Sequence, residues 1–212
     1  PYEAPRFETD GGATYVFVRY PVNDKRERTT VPFLIVIASR SILAIAQEDP
    51  PFMDKFMNGS VQFDANQRVD LVLKLLTEVN QLYTHGITEI QRAVNRKKQS
   101  INRISEQDIV ELTTSEMALN DYMDALVPQT SALMKLMTGR IIEIDATAKE
   151  LIEDLILSVN QHSELTRSLL KTAADIRSAY TAISTQRLNV VIKRLSALTV
   201  LVTIPNVITG FY

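Results

Sequence analysis

The chain has 212 residues, 45% of them hydrophobic, with 23 Lys and Arg against 25 Asp and Glu and a formal net charge of −2. That balance suits a folded core rather than disorder, and it supplies no global field that would select nucleic acid or another polyanion as partner. The absence of cysteine removes disulfides, thiolate metal ligands and cysteine nucleophiles, and fits exposure to the reducing cytosol.

The first residues, Pro1-Tyr2-Glu3-Ala4-Pro5, carry no initiator Met, no basic n-region and no apolar h-region. They read neither as a signal peptide nor as a natural start, so the chain is expected to begin inside a longer protein. From Ala13 to Tyr20 the run ATYVFVRY is β-branched and aromatic, bounded by Gly11-Gly12 and Pro21, which predicts a strand. The charged stretch NDKRER that follows predicts a loop. Thr30 to Ala38 and Ser41 to Ala46 are two further apolar runs separated only by Ser39-Arg40, and they should pair as an antiparallel hairpin. Three strands need a covered face, so helices are expected to pack on them, and further strands are expected from a preceding segment.

After Gly59 the period changes. Val69, Val72, Leu76, Val79, Tyr83, Ile87, Ile90 and Val94 recur at steps of three and four, the mark of an amphipathic helix. Ser105 to Asp108 reads as the start of a second helix carrying Ile109, Leu112, Leu119, Tyr122, Met123 and Leu126, with Pro128 a candidate kink and Gly139 a stop. From Arg140 to Ile204 there is neither Gly nor Pro, and Ile141, Ile144, Ala148, Leu151, Leu155, His162, Leu165, Leu169, Ile176 and Ile183 keep a seven-residue rhythm. The expectation is one helix roughly 100 Å long.

Leu195 to Tyr212 contains no charged residue, and Arg187, Lys193 and Arg194 sit just before it. The length is at the lower limit for crossing a bilayer, and flanking cations place everything N-terminal to it on the cytoplasmic side. A helical wheel puts Asn189, Ile192, Ser196, Thr199, Thr203 and Asn206 in a sector about 100° wide, with mainly Leu, Val, Ile and Ala elsewhere. Polar groups in a membrane helix face other helices or a water-filled path, so this stripe is a candidate pore lining. The plainer alternative has the hydroxyls of Ser196, Thr199 and Thr203 bonding back to their own helix.

The stretch RLNVVIKRLSALTVLVTIPNVITGFY resembles the junction of stalk and first membrane helix in CorA-type magnesium and cobalt transport proteins. Asn189, Pro205 and Gly210-Phe211-Tyr212 stand where that family has a polar Asn, a Pro and the approach to a Gly-Met-Asn signature, and the chain stops just before the signature. Thr30 to Asp49 resembles the family's last cytoplasmic strands. The resemblance implies a homopentamer in a bilayer with an ion path along its axis, carrying Mg2+ and often Co2+. It places Asn189 as a ring at the cytoplasmic mouth, with Ile192, Leu195 and Thr199 lining the constriction. It also implies a regulatory Mg2+ held by acids of neighbouring subunits. The family's stalk Asp is Ser178 here, which leaves Asp175 on the stalk and Asp49 or Asp54 near the strand end as candidates.

The expected fold is α+β. A small three-layer-type α/β domain over residues 1–60, with a partial sheet and antiparallel hairpin, precedes two helices in 61–138, a stalk in 139–194 and the start of a membrane helix in 195–212. An enzyme is disfavoured, since there is no phosphate-cradling Gly-rich loop or nucleophile motif and only His85 and His162 offer imidazoles. His162 falls on the apolar seam, where a bonded core ring is the ordinary explanation. The basic run Arg92 to Arg103 has few aromatics and reads as a solvated helix end rather than a nucleic-acid site. A Zn2+-carrying relative and a membrane-tethered coiled-coil scaffold are the alternatives. No organic cofactor is expected, and the chain alone, with one incomplete membrane segment, is expected to transport nothing.

Overall fold

The computed structural model describes residues 3–24, 27–39, 41–63, 67–139, 141–142 and 144–210. Four strands, β1 (Arg6–Asp10), β2 (Ala13–Asp24), β3 (Glu27–Ile37) and β4 (Ile42–Ala46), form an antiparallel meander in chain order. The hairpin expected between the second and third apolar runs is β3–β4, paired from Phe33↔Ala46 to Ile37↔Ile42. β1 is an addition, joined to β2 through Gly11 and Gly12 at φ 57° and 79°. A type I′ two-residue hairpin turn needs positive φ at both residues, which glycine adopts without steric cost.

The expected NDKRER loop is shorter than its charge suggested. β2 and β3 continue pairing to Asp24↔Glu27, and Lys25-Arg26 lie outside the described residues. Pro21 and Pro32 are tolerated inside these strands because the other neighbour has already ended: β1 pairs only as far as Phe17 and β4 as far as Phe33. A missing backbone N–H costs least there.

A short helix α1 (Met53–Met57) leads to three long ones: α2 (Arg68–Gln99), α3 (Glu106–Met137) and α4 (Ala146–Gly210). The expected start of the last helix at Arg140 falls outside the described residues. α4 starts later than expected because Asp145 ends the preceding irregular segment as a cap, its Oδ1 accepting from the Ala148 N–H at 2.7 Å and its carbonyl from the Lys149 N–H at 3.0 Å. α3 runs through Pro128 without interruption and stops at Gly139, whose φ of 70° suits the end of a helix.

The inner sheet face (Val16, Val18, Tyr20, Phe33, Ile35) is buried, with α2 and α3 packed on the sheet. Tyr20, Phe33 and Phe52 meet edge to face with centroids 5.5 to 6.2 Å apart. The same core continues between the helices through Leu76, Tyr83, Ile90, Leu119, Tyr122, Ile152, Val159 and Ile176. Gly86 lets α2 approach α3, since a Cβ there would meet Tyr122 Oη at 2.7 Å.

Candidate ion path and its stalk

α4 is a single helix of 65 residues, about 98 Å long. Its first half is one wall of the bundle and buries Ile152, Val159, Leu169, Ala173 and Ile176. From Thr185 onward every residue with a described side chain is exposed. Within that free length lies the one helix segment, among the described residues, apolar and long enough to cross a membrane, and none of it is buried.

Asn189, Ile192, Leu195, Ser196, Thr199, Thr203 and Asn206 all stand on this exposed length, together with Pro205 and Gly210. Phe211 and Tyr212 lie outside the described residues. The Thr199 hydroxyl donates to the Leu195 carbonyl at 2.9 Å and the Thr203 hydroxyl to the Thr199 carbonyl at 2.7 Å. The helix therefore satisfies both hydroxyl protons itself, while each oxygen keeps a lone pair for a neighbour or for water.

The acids considered for a regulatory ion are on three separate elements. Asp175 is exposed on α4, Asp54 is exposed on α1, and Asp49 is exposed between β4 and α1. Among the described residues no group of three metal-ligating side chains forms within one chain. Asp49 lines a cleft of about 390 Å³ with Glu48, His85 and Tyr122. Burial pushes the Tyr122 phenol up to about 12, so it remains a neutral hydroxyl there. Ser178, expected from the resemblance to stand where the family has its stalk Asp, donates back to the Ala174 carbonyl at 3.0 Å.

His162 occupies the seam as the rhythm required, and both its ring nitrogens face polar atoms. Asn80 Nδ2 donates to Ser158 Oγ at 2.7 Å, which leaves Asn80 Oδ1 as the acceptor facing His162 Nδ1 at 3.0 Å. The proton is thereby assigned to Nδ1, and Nε2 faces the Thr84 hydroxyl at 3.0 Å. Burial lowers the pKa of this imidazole. Asn80 and Thr84 gave no signal in sequence, because their partners are about 80 residues away. The spacing 80, 84 on one helix face becomes informative only once His162 is known to face it.

A sequence profile of the CorA-like Mg2+ transporter protein family matches residues 1–212. No curated protein matches the chain in sequence. The complete structure of the CorA magnesium transporter from Methanocaldococcus jannaschii superposes with a TM-score of 0.86 at 16% identity, over 98% of this chain and 67% of that one. The soluble domain of CorA from the same organism gives 0.78 at 13% identity, over 84% and 74% of the two chains. The ZntB cytoplasmic domain from Vibrio parahaemolyticus gives 0.74 at 11% identity, over 87% and 75%. Identities this low establish a common fold, whereas the profile spans the full sequence, and on that ground the chain belongs to the CorA-like Mg2+ transporter family.

Proposed function

We propose that this chain is the cytoplasmic domain, stalk and first membrane-helix segment of a divalent cation transporter that assembles as a homopentamer and carries Mg2+. The observation that supports this most is α4 itself, which runs unbroken from a packed bundle into an exposed apolar length bearing a polar stripe. A water-soluble domain gains nothing from that length, since exposed apolar surface of this extent is a liability unless lipid or protein covers it. In this reading five copies of Asn189 ring the mouth, and Ile192, Leu195, Thr199 and Thr203 line the path beyond, with Ser196 and Asn206 on the same face. Amide oxygens suit an ion that sheds its water reluctantly and passes with much of its shell kept.

Asp175 of one subunit with Asp49 or Asp54 of another are the proposed holders of a regulatory Mg2+, because shared carboxylates favour the assembled closed form while the ion is bound. Transport of Co2+ or Zn2+ is the second reading of the cargo, the Zn2+ arm favoured by likeness to the ZntB domain. The test is uptake of Mg2+, Co2+ and Zn2+ by the intact protein in vesicles, with its size measured in the same preparation. Mg2+ uptake by a pentamer is the expected result. Preferential Zn2+ uptake would transfer the cargo to the second reading, and a membrane-bound protein passing no ion would support a scaffold.

A further inference from the structure

Buried polar side chains are spread unevenly through the three long helices. Asn80 of α2 bonds Ser158 and faces His162 of α4, and Thr84 faces His162 as well, so α2 and α4 run parallel. Thr130 meets Asn160 and Arg177 meets Glu116, which sets α3 antiparallel to α4. At about 1.5 Å per residue, these tie points bring Asn80, Gln129, His162 and Ser163 to within about one helical turn of a common level. Helix side chains lean towards the N-terminus of their own helix, so Gln129 reaches on towards the level of Thr166, and Thr166 back towards that of Gln129. All five are buried, Gln129 at 1% exposure and Thr166 at none. The other buried polar groups of these helices are engaged elsewhere: Glu78 with Lys55 of α1, Lys97 with Asp108 and Glu111, and Ser115 with the Glu111 carbonyl.

The core is apolar on both sides of this layer. Leu76, Leu136 and Ile152 are buried on the side where α4 starts, and Ile90, Leu119 and Ile176 on the side where it leaves. A buried polar layer rigidifies a core when every member is paired, whereas an unpaired member keeps the cost of its lost hydration. Gln129 Oε1 and Nε2 and Thr166 Oγ1 have no hydrogen-bond partner among the described residues. Thr84, Thr130 and Thr172 each donate to the carbonyl four residues back, and Thr166 does not. Pro128, next to Gln129, has no N–H to donate, so α3 lacks a rung of its own hydrogen-bond ladder at the same level.

We propose that this polar layer is a flexible waist in the bundle. It divides the core into two apolar sections that open separately, one holding residues 148–159 of α4 and the other residues 169–176. Opening either section brings water to Gln129 and Thr166, which relieves the cost of their burial and favours separation of the two. The section beyond the waist is the one from which α4 leaves. Movement there reaches the exposed length of α4 while the section at its start stays packed.

The test is native-state amide exchange of the intact protein in two conservative variants. Ile152→Val and Ile176→Val each remove one buried methylene from one section, a loss that raises opening roughly two- to tenfold. Ile152→Val should speed exchange across 148–159 and leave 169–176 unchanged, and Ile176→Val should do the reverse. Combining Gln129→Leu with Thr166→Val replaces the layer by apolar contact, and in that background each Ile→Val change should speed both ranges alike. Equal acceleration of the two ranges with the layer intact would overturn the waist. Separation that persists after the layer is made apolar would also overturn it, because the division would then lie elsewhere. Should the combined variant not fold, the comparison with the layer intact decides the proposal by itself.

Discussion

Asn189 stands one turn before Lys193 on an exposed length of α4, in a place where a polar residue has no partner to serve within its own bundle. If five copies surround an ion path, Asn189→Leu exchanges a ring of amides for an apolar constriction that tends to dewet. Mg2+ uptake by the intact protein should fall by tenfold or more, on the order of 1.4 kcal/mol in the barrier, while the assembly keeps its size. Disturbed assembly would instead make Asn189 a helix-contact residue, and normal uptake by a normal assembly would remove it from the path. His162 gives a different test. Its folded pKa lies below the ordinary 6.5 because burial disfavours the imidazolium, so the unfolded chain binds more protons as pH falls through about 6.5. Stability is therefore full above that range and declines on acidification towards the folded pKa. The melting temperature should drop accordingly, and His162→Gln, which cannot titrate, should flatten that part of the profile. An unchanged slope in the variant would assign the acid sensitivity elsewhere.

At the scale of elements, what could be read in advance were features that repeat or that punctuate. The helices α2 and α3 followed from their three-and-four spacing, and the start of α3 from Ser105. That residue forms a full capping box: its Oγ accepts from the Asp108 N–H at 3.2 Å, and its own N–H donates to Asp108 Oδ2 at 2.9 Å. Ser105→Ala should lower unfolding stability by about 1 kcal/mol, measured by urea denaturation. A change within error would mean the first turn of α3 is held by packing alone. Asp108 adds a charge dependence, because its bonds to Lys97 and Ser105 hold its carboxyl far below the usual range. β1 was not legible, and the reason is physical. RFETD has no alternating apolar face, its later residues are exposed, and it is a strand because the Gly11-Gly12 turn folds it onto β2. The start of α4 was misplaced by several residues because Ile141 and Ile144 continue the apolar rhythm into a segment that Asp145 has not yet capped. The bonds of Asn80 and Thr84 to His162 depend on which helices become neighbours, and no local pattern carries that.

Across the whole molecule, α4 passes from wall of a bundle to lone helix without a change in secondary structure. Packing holds Val159, Thr166 and Ala173 at no exposure at all, whereas Leu188, Val191 and Leu195 are 59%, 60% and 63% exposed. An isolated helix has little stability of its own in water, so its two halves should differ in local opening. Amide exchange of the chain in detergent-free solution is expected to be slow across 152–176 and fast across 186–194. Lipid or assembly should then slow the second range selectively. Uniform slow exchange along all of α4 in the monomer would contradict this division.

The unbroken course of α4 also makes it a lever. Its exit from the bundle lies near Tyr180, where the side chain still packs on the core, and from there to Ile204 the axis rises about 36 Å. With no Gly or Pro between those points, a rotation of the bundle is not absorbed by a hinge. A tilt of about 5° at Tyr180 would carry Ile204 sideways by about 3 Å, the width of a water molecule. A change too small to break any contact within the bundle is thus delivered, magnified, at the far end of the rod.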